Sequence, residues 1–334
     1  MRHLREIADW PDFSGTRYEV LEKIGAGGMG TVYLATDHEL ERPVALKVIG
    51  AAALGPEGAE RMRQEAKILA RLEHPGLVPV HDVGHLPDGR IYYAMKLVRG
   101  QRLDQIDWTP ETSAEVLRVV ERICEAVAFA HAHGVIHRDL KPENVMVGAF
   151  GEVLVLDWGV AKVLGEEEAP APSASGDRAE GEGTLPGTIL GTPGFMAPEQ
   201  ARGQVDRVDA RSDVYAIGAI LHDLLTRAHR SGNRPPGLAW TAPEDPRQLN
   251  PEVPRRLAAI CQRALAEDPC ERYESAEALA ADIGRFSRGD AVRAHQDSWL
   301  ERAGRFVQRY RLPISIVLAY LVMRVALFLF FEPE

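Results

Sequence analysis

The stretch that most constrains this chain runs from His137 to Asn144 and reads His-Arg-Asp-Leu-Lys-Pro-Glu-Asn. It places an acid, a base and an amide within a few residues of one another. A short apolar run at 153–156 follows, which predicts a buried strand, and that strand ends on Asp157, which Trp and Gly follow. The stretch therefore contains potential metal ligands close to an acid and a base.

A glycine-rich stretch near the N terminus predicts a flap over a ligand. Residues 18–24 alternate in a strand pattern, the run Gly25-Ala-Gly-Gly-Met-Gly30 interrupts them, and residues 31–35 resume the pattern. The dinucleotide site of a nicotinamide-dependent oxidoreductase needs a helix directly after such glycines. Here β-branched and aromatic residues follow, and 44–49 predict a third strand. Two antiparallel strands joined by a glycine turn fit better than a βαβ unit.

The next part of the chain predicts one helix and two strands. Residues 60–72 have helical spacing of apolar side chains and include Glu65. Residues 77–83 and 91–97 have strand character and are separated by a Pro-Asp-Gly turn. These elements complete a predominantly β unit at the N-terminal end.

Helices dominate the rest of the predicted fold. Thr112 and Glu115 form a capping box at the start of a helix that stops at Gly134. Further helices are predicted at 213–225, 257–265 and 276–286. The first of these is apolar nearly all round, so we expect it to be buried.

Charge and cysteine spacing argue against two classes of function. The formal net charge of −10 disfavours a nucleic-acid partner, because phosphates repel a surface that is negative on average. The three cysteines show no CxxC pairing. His131, His133 and His137 have no Cys or carboxylate partner at ligand spacing. We expect reduced thiols and no histidine metal cluster.

In order and spacing, these motifs resemble the bacterial members of the eukaryotic-like, or Hanks-type, serine/threonine protein kinases. The resemblance covers residues 18–288. It implies an α+β, bilobal protein kinase fold with ATP between a small antiparallel-β N-lobe with one key helix (18–97) and a larger, mostly helical C-lobe (98–288). It also implies an N-terminal lead-in at 1–17, which we expect to be loose, and a flexible activation loop at about 163–190, where few large apolar residues occur.

The same resemblance assigns the catalytic and metal-binding residues. Asp139 would accept or orient the proton of the acceptor hydroxyl, and Lys141 would contact the γ-phosphate. Asn144 and Asp157 would bind Mg²⁺, for which Mn²⁺ could substitute. Lys141 and Thr192 match the serine/threonine rather than the tyrosine kinases. The implied activity is that of a non-specific serine/threonine protein kinase.

The nucleotide site is implied in the same way. Lys47, steadied by Glu65, would hold the α- and β-phosphates, and flap glycines would let backbone N–H groups approach phosphate because no Cβ intervenes. Met95 would lie behind the adenine, and residues 96–98 would form the hinge, although family members more often have an acid in place of Lys96. The expected nucleotide-binding residues are Ile24, Gly25, Ala26, Gly27, Gly28, Met29, Gly30, Val32, Ala45, Lys47, Glu65, Met95, Lys96 and Val98.

Further expectations concern pairing and regulation. Arg272 matches the family's arginine that pairs with the glutamate at Glu199. Trp158 replaces the usual Phe, so we expect altered inactive-state or inhibitor preferences with activity retained. Arg138 would pair with a phosphorylated residue in the activation loop and order it. The candidate phosphorylation sites are Thr184 and Thr188, followed by Ser173 and Ser175.

The C-terminal run 312–331 is long and apolar enough to cross a bilayer. Arg324 costs about 2.5 to 3.5 kcal/mol, but each Leu, Ile, Val or Phe contributes about −0.3 to −0.6 kcal/mol, so insertion is favoured. A basic juxtamembrane segment at 289–311 precedes the run. The positive-inside rule then predicts a single-pass protein of the inner or cell membrane with a cytoplasmic kinase domain. The alternatives are a soluble cytoplasmic protein whose last helix packs on the catalytic domain, and a helix that lies in the membrane interface with Arg324 extended towards water.

The functional expectation is therefore a membrane-anchored signalling kinase. It would phosphorylate Ser/Thr residues of protein substrates and its own activation loop, the latter in trans within a homodimer. The alternative is a catalytically silent pseudokinase that binds ATP and acts as a membrane scaffold. The presence of Lys47, Glu65, Asp139, Asn144 and Asp157 favours the active enzyme.

Overall fold

The computed structural model describes residues 10–27, 30–48, 67, 70–106, 113–158, 162–163, 194–227, 244–296, 299 and 310–331. Several predicted features lie outside these residues. They are Gly28, Met29, Glu65, the capping residue Thr112, Thr192 and the candidate phosphorylation sites Ser173, Ser175, Thr184 and Thr188.

Five antiparallel strands form the N-terminal sheet. They are β1 (Tyr18–Gly27), β2 (Gly30–Asp37), β3 (Arg42–Val48), β4 (Val80–His85) and β5 (Ile91–Lys96), in the spatial order β1-β2-β3-β5-β4. β1 and β2 form a hairpin whose register extends to Gly27 opposite Gly30. β2 reaches β3 through a turn at 38–41 rather than a helix, which rules out the βαβ alternative here.

The strand register gathers four predicted nucleotide-site residues on one face of the sheet. Val32 pairs with Lys47 across β2 and β3, and Ala45 pairs with Met95 across β3 and β5. Directly opposite residues point to the same face, and so do residues two apart along a strand. Because Ala45 and Lys47 are two apart on β3, all four side chains share one face.

The other face carries an apolar core that includes the segment before β1. Phe13 is buried in this core, edge-to-face with Tyr92 at a ring-centroid distance of 5.0 Å, and Trp10 meets Tyr33 at 5.5 Å. The expectation of a loose lead-in at 1–17 is therefore wrong for residues 10–17. Isolated aromatic residues in a polar segment have no periodicity, so the sequence pattern did not indicate this packing.

The C-terminal part contains short strands and most of the helices. Its strands are β6 (Gly100–Arg102), β7 (Val135–Ile136), β8 (Val145–Gly148), β9 (Val153–Val155) and β10 (Lys162–Val163). Its helices are α1 (Ser113–Ala132), α2 (Pro198–Ala201), α3 (Ala210–Thr226), α4 (Pro246–Leu249), α5 (Arg255–Ala264), α6 (Ala276–Ser287) and α7 (Arg311–Phe331). β6, β8 and β9 form one antiparallel sheet, and β7 pairs with β10.

Helix α3 is the centre of the large apolar core, as its apolar sequence predicted. It packs against α1, α5 and α6. It begins one turn earlier than predicted because the Asp209 side chain accepts a hydrogen bond from Arg211 N at 2.7 Å and so caps the helix. Gly218 permits close packing on α5, since a Cβ there would lie 2.7 Å from the Cβ of Ala264.

The chain that follows α6 also packs on the large lobe. The buried carboxylate of Asp282 accepts hydrogen bonds from Arg293 N at 2.6 Å and Ala294 N at 3.0 Å, and Val292 is buried. The predicted domain end at 288 is therefore too early, and residues 289–296 belong to the packed lobe rather than to a juxtamembrane segment.

Among the helices formed by described residues, none meets the length and apolarity that a membrane crossing requires. The predicted span at 312–331 stays a prediction.

Candidate active site

A buried carboxylate holds the backbone at the start of the loop formed by residues 137–144, here called the catalytic loop after its proposed role. Asp213, in the first turn of α3, accepts hydrogen bonds from His137 N at 2.8 Å and Arg138 N at 2.9 Å. Its Oδ2 also lies 2.7 Å from His131 Nε2. Burial raises the pKa of Asp213. The hydrogen bonds and charges of His131 and His137 together outweigh burial, so the pKa lies below the ordinary value. The loop is thus tied to the central helix by an ionised group.

Arg138 adopts a strained backbone conformation at this point. Its φ is +70°, in the left-handed region that costs a non-glycine residue about 1–3 kcal/mol. Its N–H is held by Asp213, and its carbonyl accepts a hydrogen bond from Gln200 Nε2 at 2.9 Å. Tertiary contacts therefore impose a conformation that local preference does not favour.

Asp139, Lys141 and Asn144 lie together, as the motif predicted. Lys141 Nζ donates to Asp139 Oδ2 at 2.8 Å. Asn144 Nδ2 donates to the Asp139 carbonyl at 2.8 Å and lies 3.4 Å from Asp139 Oδ2. The amide nitrogen of Asn144 is engaged within the loop, so its oxygen is the atom suited to a cation.

Asp157 follows β9 and is brought to the loop by backbone contacts. Leu156 N donates to the Asn144 carbonyl at 2.8 Å, and His137 Nε2 lies 2.9 Å from the Leu156 carbonyl. Asp157 is left-handed, with φ +57°, and 42% of its side chain is exposed. The next residue, Trp158, is 1% exposed, lies 4.5 Å from the His137 ring and donates Nε1–H to the Val155 carbonyl at 3.4 Å.

The small sheet and the large lobe meet at an ion pair. Lys47 Nζ on β3 donates to Asp157 Oδ1 at 2.9 Å and lies 5.6 Å from the centroid of the Tyr93 ring. Burial raises the pKa of Asp157, but the charge and hydrogen bond of Lys47, together with the charges of His137 and Lys141, lower it below the ordinary value, so the carboxyl is ionised at neutral pH. A buried lysine and an accessible carboxylate are thereby held in contact.

The other described nucleotide-site residues lie on β1, at the start of β2, and at or just after the end of β5. Ile24 is 46% exposed on β1 beside Gly25, while Met95 and Val98 are half-buried. Lys96 is exposed, and its backbone N donates to the Pro79 carbonyl at 3.0 Å. Gly28, Met29 and Glu65 lie outside the described residues, so the expected Lys47–Glu65 pair is untested.

The predicted pairing of Glu199 with Arg272 is present and buried. Arg272 Nη1 and Nη2 donate to the two carboxylate oxygens at 2.8 and 2.7 Å, and Ser212 Oγ donates to Oε1 at 2.7 Å. Burial raises the pKa of Glu199, but these hydrogen bonds lower it below the ordinary value. The helix α2 is thereby fixed to the large lobe.

Two residues of this arrangement were missed from sequence. Asp213 was included in an apolar helix without a role, although an acid within an otherwise apolar helix is a signal of a buried polar partner. Gln200 had no such signal, because a glutamine at a helix start is ordinary.

A small antiparallel sheet that supplies a buried lysine, together with a helical lobe that supplies two acids, an amide and a second lysine, defines a protein of the bilobal kinase fold. The chain belongs to the protein kinase family, since the model of the protein kinase domain matches residues 18–282. The predicted resemblance to bacterial serine/threonine protein kinases is thereby confirmed, as is the bilobal fold.

Relatives and solved structures agree with this assignment. The chain is 38% identical over 298 residues to the serine/threonine-protein kinase PknD of Chlamydia abortus. The matched region covers 81% of this chain and 31% of that protein. It is 37% identical over 295 residues to PknB of Mycobacterium tuberculosis, covering 85% of this chain and 45% of PknB. The crystal structure of the Mycobacterium tuberculosis PknI kinase domain matches with a TM-score of 0.58 and 28% identity, over 80% of this chain and 96% of that one. The chain thus spans under half the length of the curated relatives it matches.

Proposed function

We propose that this protein is an ATP-dependent serine/threonine protein kinase that transfers the γ-phosphate of ATP to Ser/Thr hydroxyls of proteins. The observation that carries the proposal is the 2.9 Å contact between Lys47 Nζ and Asp157 Oδ1, which joins the two lobes. Phosphoryl transfer needs positioning and charge neutralisation rather than covalent help from the protein. The Lys47 ammonium from one lobe would neutralise phosphate charge, and the Asp157 carboxylate from the other would hold a cation that does the same.

The donor set fits a divalent cation such as Mg²⁺, with Mn²⁺ as a substitute. Asp157 offers an ionised and partly exposed carboxylate, and Asn144 offers an amide oxygen. Hard oxygen ligands of this kind suit Mg²⁺ bound together with nucleotide phosphates. When bound, the ion neutralises charge on the phosphates. Asn144 and Asp157 are the residues that would hold it.

The chain's own groups divide the remaining work. Asp139 would orient the acceptor hydroxyl and take its proton. Lys141, already 2.8 Å from Asp139 Oδ2, would contact the γ-phosphate next to that acceptor. Lys47 would bind the α- and β-phosphates under the glycine flap. Its contact with Asp157 would then loosen, and the Asp157 carboxylate would become available to the cation. These roles stay proposals for each residue.

Transfer of radiolabel from ATP to a generic protein substrate tests the function. We expect Mg²⁺-dependent labelling of Ser and Thr by the purified protein and loss of at least about 1,000-fold in the Asp139→Asn variant. Asp88→Asn is a matched control, since Asp88 lies in an exposed turn. Binding of ATP without any transfer would instead support the scaffold alternative, which the assembled Asp139, Lys141 and Asn144 group disfavours.

Regulation in the activation loop is a separate part of the proposal. We propose that Arg138 pairs with phosphorylated Thr184 or Thr188, with Ser173 and Ser175 as further sites, after trans-phosphorylation within a homodimer. Mass spectrometry after incubation with Mg-ATP identifies the modified residues. Unchanged activity and autophosphorylation in a Thr184→Ala, Thr188→Ala variant would reject this switch.

We also propose that 312–331 anchors the protein in the cell membrane with its kinase domain in the cytoplasm. The support is the apolar sequence itself, together with the exposure of α7 side chains such as Leu312, Ile316 and Val322, which are 68%, 68% and 64% exposed. Membrane fractionation with a carbonate wash tests the anchor. Release of the full chain into the supernatant would favour a cytoplasmic soluble protein instead.

A further inference from the structure

The peptide bond that leads into Asp139 is held at both of its polar atoms. On one side, the Arg138 carbonyl accepts a hydrogen bond from Gln200 Nε2 at 2.9 Å. On the other side, Asp139 N donates to His137 Nδ1 at 3.3 Å. Since the peptide unit is planar, these two bonds fix the rotation of the plane from which the Asp139 side chain projects.

The amide of Gln200 is itself held by its second polar atom. Its Oε1 accepts a hydrogen bond from Ala197 N at 3.3 Å, at the start of α2. The neighbouring Glu199 is clamped by Arg272 and Ser212 in the buried large lobe. Only a side chain with both a donor and an acceptor at one end can make the two contacts of Gln200 at once.

We propose that Gln200 is a positioning residue, which couples helix α2 to the loop at 137–144 and thereby sets the direction of Asp139. The proposal rests on the proposed kinase function. Gln200 touches no reacting atom and acts through the Arg138–Asp139 peptide. A shift of α2 is therefore transmitted to Asp139 through one side-chain amide.

The backbone at Arg138 makes this contact sensitive. Its left-handed φ of +70° is maintained by neighbours, of which Asp213 holds the N–H side and Gln200 the carbonyl side. Without the carbonyl contact, the peptide plane gains freedom to rotate, and Asp139 moves with it. A displacement of about 1 Å in a catalytic group can lower the rate about 100-fold.

Two substitutions separate the donor and acceptor halves of the side chain. Gln200→Glu keeps an oxygen for Ala197 N but sets a carboxylate against the Arg138 carbonyl, whereas Gln200→Met keeps the length and removes both bonds. We expect both variants to lower kcat about 10- to 100-fold, with the KM for Mg-ATP within about 2-fold and Tm within about 4 °C of the wild type. Gln262→Glu, on the exposed side of α5, is the matched control and should retain wild-type kcat.

Retention of wild-type kcat by Gln200→Glu would overturn the proposal. The bond to the Arg138 carbonyl would then have no effect on the rate, and the role of Gln200 would be limited to its bond with Ala197 N. A raised KM for Mg-ATP or a larger loss of Tm in both variants would also overturn it, because either result assigns Gln200 a general structural role.

A double-mutant cycle with Asp139→Asn gives a readout that a structural role does not move. If Gln200 acts through Asp139, then Gln200→Glu should produce no further loss of single-turnover rate in the Asp139→Asn background. A full additional 10-fold loss there would contradict the coupling. An inactive wild type would reject the kinase function itself, so failure of the two proposals can be told apart.

Discussion

Two residues that belong to the proposed active site, or stand directly before a residue that acts there, have a left-handed backbone conformation. Arg138 precedes Asp139, the proposed catalytic residue, and has φ +70°, and Asp157, the proposed metal ligand, has φ +57°. Such conformations persist only where surrounding contacts over-determine them. Asp213 and Gln200 hold the backbone of Arg138. Leu156, the residue before Asp157, is held by backbone contacts with Asn144 and His137. The functional groups are therefore aimed by neighbours distant in sequence.

Substitution of Asp213 should damage both activity and stability. Asp213→Asn keeps one acceptor oxygen but leaves either His137 N or Arg138 N without a partner. We expect a cost of about 1–3 kcal/mol in the free energy of unfolding and at least a 10-fold fall in kcat. Urea unfolding and phosphate transfer measure the two effects. Asp209→Asn in the same helix is the control, because Asn caps as well as Asp, and a cost there equal to that of Asp213→Asn would contradict the argument.

Substitution of Trp158 by the family's more common Phe should be tolerated at a modest cost. Trp158→Phe removes the Nε1–H bond to the Val155 carbonyl and part of a ring that is 1% exposed. We expect a loss of about 1–2 kcal/mol in the free energy of unfolding and kcat within a few-fold of the wild type. The exposed Trp299 provides Trp299→Phe as a control with no loss. A more stable Trp158→Phe protein would show that the indole bond contributes nothing.

The strands and helices that were predicted from the sequence are those with a regular pattern of apolar residues. The β1–β2 hairpin and the helices α3, α5 and α6 were predicted within about one turn, because their apolar spacing is long enough to be recognised. Strands of two or three residues such as β6, β7 and β10 have no measurable period and were missed. The packing of residues 10–17 and 289–296 was also missed, since it depends on single anchoring residues.

The segment before β1 should contribute to the stability of the small lobe. Phe13 is 7% exposed and packs on Tyr92, so Phe13→Ala should cost about 3–5 kcal/mol in the free energy of unfolding. Phe150, 97% exposed at the β8–β9 turn, gives the matched control Phe150→Ala with a change under about 0.5 kcal/mol. Thermal or urea unfolding of the two variants makes the comparison. Equal effects would mean that the segment does not support the sheet.

For the whole chain, the motif predicted which residues form the proposed site, whose roles stay predictions, but it did not predict the residues that support them. Asp139, Lys141 and Asn144 are close in sequence, so their proximity follows from the loop itself. In contrast, Gln200 lies 62 residues from Arg138 and Asp213 lies 76 residues from His137. Contacts at such separation are set by the packing of α2 and α3, which no local pattern encodes.

Acid should destabilise the folded protein in a defined direction. Despite burial, the partners of Asp157, Glu199 and Asp213 lower the pKa of each acid. Unfolded carboxyls titrate near about 4, so the stability from these groups is complete above that pH and is lost as pH falls through the lower folded values. Urea unfolding at pH 7, 5, 4 and 3 should show a steep decline below about pH 4.

Glu199→Gln isolates one of these acids. It leaves the buried Arg272 without its anion, so we expect a cost of about 3–5 kcal/mol at pH 7. Because the titrating group is gone, the decline of stability below about pH 4 should be shallower than in the wild type. An unchanged slope would indicate that Glu199 does not carry a depressed pKa.

The attachment of the chain beyond α6 has a mechanical consequence. Two backbone amides of residues 293–294 are bound by Asp282 inside the larger lobe, and Arg256 Nη1 holds the Asp290 carbonyl at 2.8 Å. A pulling force applied to the tail would enter the molecule at α5 and α6 and be resisted there. The contact between Lys47 and Asp157 lies outside this path, so tension on the tail should leave that contact unloaded.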